Sequence, residues 1–140
     1  MVYADTSVIV ALLTVEPSTQ KVSDWYAGLG ETPVCSDWLL TEFSSALSIK
    51  LRTGQISEAN AKRARKEFAL VTEGGLRIVP VSREVFGHAA EMNKLHKHGL
   101  RAGGSLHLAV ALELGASQMA TFDGALAANA KRNGMELIEF

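Results

Sequence analysis

The chain has 140 residues, of which 47% are hydrophobic and 21% charged, and its formal net charge is −1 at pH 7. These proportions are close to the globular average and exclude disordered and fibrous classes. The near-zero charge also argues against nucleic-acid binding over the whole surface, since such domains usually carry a marked basic excess. Any nucleic-acid site must therefore be local.

A chain of this length is expected to form a single domain, residues 1–140, with a core of its own. Cys35 is the only cysteine. An intramolecular disulfide is therefore excluded, and a reducing compartment is the simpler expectation. The longest apolar run, residues 8–13, is too short to cross a bilayer. We expect a cytoplasmic protein with no membrane partner.

Short apolar runs alternate with helix-like segments along the whole chain. Ser18, Ser36 or Asp37, Ser57 and Ser82 are the predicted helix caps. Short strands that alternate with helices indicate βαβ units. The sequence thus predicts an α/β fold, with a short, mainly parallel central sheet flanked by about seven helices. The predicted strands are residues 2–4, 33–35, 76–81, 119–122 and 136–140, and the predicted helices are residues 8–13, 18–29, 36–52, 57–72, 82–98, 103–114 and 124–133.

Two of the predicted strands finish on a carboxylate, Asp5 and Asp123, at the edge where open parallel sheets bind their ligands. Glu42 lies in an otherwise apolar helical stretch, where a charge is costly unless a cation satisfies it. Carboxylates that are brought together repel one another, and Mg²⁺ or Mn²⁺ with oxygen ligands relieves that repulsion. Such a centre activates water and stabilises charge on a phosphate, which favours phosphodiester hydrolysis.

Each acid also has a simpler interpretation. Asp5 and Asp123 are suited to be N-caps of the helices that follow them, and Glu42 is suited to be a surface residue on an amphipathic helix. For any one acid taken singly, this interpretation is at least as well supported as the functional one.

Four segments, in their order and spacing, resemble the PIN domains of VapC toxins, and the likeness covers essentially the whole chain. They are residues 5–7 (Asp-Thr-Ser), 41–43 (Thr-Glu-Phe), 100–109 (Leu-Arg-Ala-Gly-Gly-Ser-Leu-His-Leu-Ala) and 121–123 (Thr-Phe-Asp). Any one of these motifs is common by chance, but the four together are not.

The resemblance implies a magnesium- or manganese-dependent endoribonuclease that cuts structured RNA such as transfer RNA. It also implies a homodimer that is inhibited by a small VapB-type antitoxin. Asp5, Glu42 and Asp123 fall on the acidic positions of the family, which are catalytic and hold the metal. Ser7 and Thr121 fall on polar positions that support the metal ligands through hydrogen bonds.

Gly104 departs from the family pattern, which typically has an aspartate as a principal metal ligand at this position. Glycine offers no side-chain oxygen, and the hydroxyl of Ser105 is turned by about 100° along the helix. We therefore expect weak Mg²⁺ binding and slow or absent RNA cleavage. The chain is then a natural enzyme that works with three acids, a natural member that has lost catalysis, or the product of an inactivating substitution. Gly104 also suits a Gly-Gly turn that starts a helix close to the sheet.

The main alternative is a catalytically inactive PIN-domain binding module that retains antitoxin or RNA contacts. A receiver-like signalling domain is less well supported, because Asp5 is followed by Thr6 and Ser7 instead of the paired acids that such domains use. The absence of G-x-G-x-x-G and of a P-loop argues against a nucleotide-binding fold.

Two basic clusters and one histidine complete the candidates. The clusters are Lys62, Arg63, Arg65 and Lys66, and Lys94, Lys97 and Arg101. A solvated helix face or a helix C-terminus is the simpler interpretation of both clusters, and a local RNA site is the alternative. His107 is expected to be a packed, hydrogen-bonded residue near the proposed site, because water activated by a metal needs no imidazole.

Overall fold

The computed structural model describes residues 1–140 and contains one five-stranded sheet, in the order β3-β2-β1-β4-β5. Every neighbouring pair of strands is parallel. The predicted α/β fold with a mainly parallel sheet is confirmed, and the sheet is wholly parallel. The strands are β1 (Val2–Ala4), β2 (Val34–Ser36), β3 (Arg77–Val79), β4 (Gln118–Ala120) and β5 (Glu136–Leu137).

Seven α-helices flank the sheet, as predicted. They are α1 (Thr6–Leu13), α2 (Thr19–Ala27), α3 (Trp38–Arg52), α4 (Glu58–Leu70), α5 (Arg83–Lys94), α6 (Ala102–Glu113) and α7 (Gly124–Arg132). A π-helical turn, Val71–Gly75, follows α4, and a 3₁₀ turn, His96–His98, follows α5. None of the helices combines the length and the apolar character that crossing a bilayer requires.

Side-chain capping explains some of the helix starts but not all of them. The hydroxyls of Ser57 and Ser82 each accept a hydrogen bond from the backbone N–H three residues ahead, as N-cap residues do. Ser18 and Asp37 also lie at the predicted N-cap positions, of α2 and α3, but their side chains make no capping hydrogen bond. The alternative cap, Ser36, belongs to β2.

Several elements are shorter than predicted. The helix predicted to reach residue 98 ends at Lys94, because Leu95 leaves the helical conformation with φ −80° and ψ 67°. The 3₁₀ turn that follows ends at Gly99, which is left-handed with φ +72°. The strand predicted to end on Asp123 ends at Ala120. Asp123 is the N-cap of α7 instead. The last strand contains only Glu136–Leu137.

The path of the chain through the sheet creates a crevice beside β1. From β1 the chain moves to β2 and β3 on one side, and it then crosses β1 to add β4 and β5 on the other side. The connection that leaves β1 therefore runs toward β2, and the connection that leaves β4 runs toward β5. These two connections start from neighbouring strands and diverge. Ligands of open α/β sheets bind at this kind of switch point.

The core is one cluster of 27 buried residues that extends over both faces of the sheet. β1 is buried throughout, and all residues from Ser105 to Ala111 of α6 are buried as well. Between α3 and α4, the rings of Phe43 and Phe68 stack with centroids 4.0 Å apart and planes 5° from parallel. This packing fixes α3, which carries Glu42, relative to α4.

Phe43→Ala is expected to lower the free energy of unfolding by about 3–5 kcal/mol, because it leaves a cavity in a fully packed site. Chemical denaturation measures this loss. Phe86→Ala is the matched control, since Phe86 is 51% exposed whereas Phe43 is 2% exposed. The control should change stability by no more than about 0.5 kcal/mol. Similar losses in the two variants would contradict this description of the core.

Candidate active site

Asp5 directly follows β1 and is 4% exposed. Its Oδ1 accepts hydrogen bonds from Ser7 N at 3.0 Å, Ser7 Oγ at 2.5 Å and Val8 N at 3.3 Å. Its Oδ2 accepts one from Thr121 Oγ1 at 2.6 Å. Burial raises the pKa of Asp5, and the charge of His107 and the hydrogen bonds from Ser7 and Thr121 lower it in part. Asp5 is thus both the N-cap of α1 and a buried acid at the switch point.

Thr121 and Ser7 tie the segment after β4 to the segment after β1. Thr121 Oγ1 donates to Asp5 and accepts from Asp123 N at 2.9 Å. Ser7 Oγ donates to Asp5 and accepts from Phe122 N at 2.8 Å. Each hydroxyl therefore donates to the buried carboxylate and accepts from a backbone N–H of the segment after β4. The side chains predicted to support the acids do hydrogen-bond Asp5.

Asp123 is the exposed member of the three acids. Its Oδ1 caps α7 by accepting from Ala125 N at 2.8 Å and Leu126 N at 2.9 Å. Its Oδ2 makes no hydrogen bond within the chain. The simpler interpretation of Asp123 as a helix cap is therefore confirmed, and one oxygen remains available to solvent or a ligand.

Glu42 reaches the site from α3, with 28% of its side chain exposed. Its Oε2 accepts from Thr6 Oγ1 at 2.5 Å and contacts His107 Nε2 at 2.6 Å. Burial raises the pKa of Glu42, but the hydrogen bond and charge of His107 and the hydroxyl of Thr6 outweigh it, so the pKa lies below its usual value. Glu42 Oε1 makes no hydrogen bond. A glutamate in an apolar stretch was expected to need a cation, and His107 of the same chain is that cation.

His107 lies on α6 and is 2% exposed. Its Nδ1 is 2.9 Å from the hydroxyl of Tyr3, and its Nε2 is 3.2 Å from Thr6 Oγ1 as well as bonded to Glu42. Burial lowers the pKa of His107, but Cys35, Glu42 and Asp5 raise it to about 10. His107 is therefore a buried cation at neutral pH. The expectation of a packed, hydrogen-bonded histidine is confirmed.

The two glycines at the start of α6 have different surroundings. A methyl group on Gly103 would overlap Glu42 Oε1 and would lie 3.3 Å from Trp38 Nε1, an indole nitrogen that is buried without a hydrogen-bond partner. A methyl group on Gly104 would meet only Leu100 Cδ2, at 3.4 Å. Position 104 therefore has room for a side chain, and position 103 has none while Glu42 keeps its present rotamer.

The three predicted acids belong to two separate hydrogen-bonded groups. In the first group, Thr121 joins the backbone of Asp123 to the carboxylate of Asp5. In the second group, Thr6, which follows Asp5 in the chain, donates to Glu42. The sequence alone does not indicate that Tyr3 or Gly103 is part of the site. The only sequence signal for Thr6 is its place between Asp5 and Ser7 in the Asp-Thr-Ser segment.

The carboxylates do not form a ready-made metal centre. No group of three or more His, Cys, Asp and Glu side chains is arranged to hold a metal ion. Both oxygens of Asp5 and one oxygen of Glu42 are committed to donors within the chain. The arrangement satisfies the buried negative charge with hydroxyls, amides and one imidazolium.

The sequence matches the family model described as PIN domain over residues 2–132. The chain belongs to the PIN-domain family. This membership agrees with the parallel sheet and with the position of the acids at its carboxyl edge. No curated protein sequence matches the chain.

Solved structures with the same fold include prokaryotic toxins. Mycobacterium tuberculosis VapC20, described as a Sarcin-Ricin loop cleaving toxin, is 19% identical, with a TM-score of 0.75 over 92% of this chain and 95% of that one. FitAcB from Neisseria gonorrhoeae is 19% identical, with a TM-score of 0.74 over 99% and 97% of the two chains. VapBC2 from Rickettsia felis, bound to a promoter DNA fragment, is 19% identical, with a TM-score of 0.64 over 99% and 98%.

Gly103→Ala and Gly104→Ala are expected to have opposite effects on stability. Alanine at 103 has to displace Glu42 from His107, and overpacking of this kind costs about 1–3 kcal/mol. Alanine at 104 makes only an ordinary contact with Leu100 and gains about 0.5–1 kcal/mol from its better helix propensity. Urea unfolding of the two variants measures the difference. Equal stabilities would contradict the contact between Glu42 and Gly103.

The buried cation predicts a specific dependence of stability on pH. The pKa of His107 is raised in the folded protein from 6.5 to about 10, so its stabilising contribution is complete below pH 6.5 and is lost as pH rises through 10. The difference in free energy of unfolding between the native chain and His107→Gln should therefore shrink across this range. A difference that stays constant from pH 6.5 to 10 would show that His107 is not the titrating group.

Proposed function

We propose that the chain is a metal-dependent endoribonuclease toxin of a VapBC-type toxin–antitoxin system, impaired by Gly104. The observation that carries this proposal is that two polar groups, one around Asp5 with Asp123 and one around Glu42, occur in a PIN-domain chain with a parallel sheet. These are the residues that the sequence assigns to the acidic positions of the family. The proposed reaction is hydrolysis of RNA phosphodiester bonds.

Mg²⁺ or Mn²⁺ is the proposed cofactor, and Asp5, Glu42 and Asp123 are its proposed ligands. Carboxylate oxygens suit these hard cations. Glu42 Oε1 and Asp123 Oδ2 accept no hydrogen bond from the chain, which leaves one oxygen of each of these acids for a ligand. However, the present arrangement has no complete ligand cluster. This shortfall fits weak metal binding by a site that lacks a side chain at position 104.

The proposed roles of the chain's own groups follow from their contacts. His107 and Thr6 hold Glu42 Oε2, so that Glu42 Oε1 is turned toward the start of α6. Ser7 and Thr121 hold both oxygens of Asp5 and keep this carboxylate in one rotamer. A divalent cation, when bound, would activate water and stabilise charge on the phosphate.

A VapB-type antitoxin, an RNA substrate such as transfer RNA and a second copy of the chain are the proposed partners. The likeness in fold to VapC20 and to VapBC2 supports this choice. An inactive PIN-domain binding module that keeps antitoxin or RNA contacts is the second candidate. It is favoured by Gly104 and by the internal ion pair of Glu42 and His107, which satisfies Glu42 without a metal.

Gly104→Asp is expected to strengthen Mn²⁺ binding and to produce metal-dependent cleavage of a panel of transfer RNAs. The gain in affinity should exceed the roughly 10- to 100-fold effect of a supporting hydrogen-bond partner, because a whole charged ligand is added. Calorimetry measures the affinity. Gly104→Asn, which has the same shape but no charge, is the matched control and should gain little. An Asp variant with no gain in binding or cleavage would leave the binding-module alternative.

A further inference from the structure

The turn between α5 and α6 lies at the end of the molecule that carries the acids. α5 and α6 form an antiparallel pair, because Ser82 Oγ at the start of α5 donates to Glu113 Oε1 at the end of α6, at 2.9 Å. At the other end of the pair, Asn93 Nδ2 donates to Ser105 Oγ at 3.0 Å. The turn, residues 95–101, therefore leads directly into the Gly103 backbone that contacts Glu42.

Contacts with α7 fix this turn from its other side. Asn129 is 3% exposed, and its Nδ2 donates to the carbonyl of His98 at 2.9 Å. Gly99 adopts a left-handed conformation, and a methyl group on it would lie 3.9 Å from the Ala125 methyl, in the first turn of α7. The turn thus lies between the helix that Asp123 caps and the helix that packs on Glu42.

The turn and its flanks carry uncompensated positive charge. Lys94, Lys97 and Arg101 are exposed, and no acidic residue occurs between Glu91 and Glu113. Lys94 pairs with Glu91 at 2.7 Å, whereas Lys97 and Arg101 have no acidic partner within salt-bridge distance. Arg101 precedes α6 without capping it through its side chain. Two cationic groups are therefore available for a ligand.

We propose that this basic turn, residues 95–101, binds the RNA backbone next to the scissile phosphate, with Lys97 and Arg101 as the contacting residues. The inference rests on the proposed ribonuclease function. The net charge of −1 gives the chain no general attraction for a polyanion, so the attraction must come from a local group of cations. Phosphate contacts of this kind position the nucleic acid without reading its sequence.

The second basic cluster provides a matched control. Lys62 and Lys66 are exposed on α4 and make no salt bridge. Arg63, on the same helix, lines a cleft with Leu13 and Val15, at the end of α1 opposite Asp5. The α4 cluster has comparable charge but lies away from the acids.

The test compares Lys97→Gln/Arg101→Gln with Lys62→Gln/Lys66→Gln. Binding of a fluorescein-labelled RNA hairpin is followed by anisotropy in EDTA, where metal-dependent cleavage is absent, over a series of salt concentrations. The first double variant should bind the hairpin more weakly. A plot of the logarithm of its association constant against the logarithm of salt concentration should be less steep, by about 0.7 in slope for each cation removed. The α4 variant should match the native chain in affinity and slope. Both variants should keep the native melting temperature, since all four side chains are exposed.

The outcomes separate the inference from the proposed function. A native chain that does not bind the hairpin would overturn both. A native chain that binds, with equal slopes in the native protein and the turn variant, would overturn only the role of the basic turn. An equal loss in the α4 variant would indicate general electrostatic attraction and would also overturn it.

Discussion

The organisation of the site follows from one buried carboxylate. Asp5 lies at the end of the central strand with almost no exposure, and a charge there is costly unless hydrogen bonds satisfy it. Its donors come from α1 and from the segment after β4, two parts of the chain that are far apart in sequence. These hydrogen bonds therefore hold the segments after β1 and β4 together, and Thr121 also bonds the backbone of Asp123.

Gly103 and Gly104, two adjacent glycines at the start of α6, have different effects on the position of Glu42. Gly103 allows the Glu42 carboxylate to lie against the helix backbone, where His107 on the same helix holds it. Gly104 faces Leu100 and leaves unfilled space. A side chain added at 104 would therefore enter open space, whereas a side chain added at 103 would move the Glu42 carboxylate. The backbone at the start of α6 thus fixes the position of Glu42.

The sequence predicted the order of elements well because strands and helices alternate clearly, and Gly99 and Gly115 stop helices with left-handed conformations. It predicted the ends of strands poorly. Thr121 and Phe122 have strand-like side chains, but their backbone leaves the sheet so that Thr121 can reach Asp5. Asp5, Glu42 and Asp123 were identifiable from motifs. The pairing of Glu42 with His107 was not, because 65 residues separate them and only the packed fold brings them together.

The internal ion pair gives Glu42 a counter-charge that does not depend on a metal ion. In many metal sites the ion neutralises acids that would otherwise repel one another, so the fold weakens when the ion leaves. Here the imidazole of His107 on α6 pairs with Glu42, and hydroxyl and amide donors stabilise Asp5. The shape of this edge of the sheet is therefore set by the polypeptide and does not need an ion to hold it.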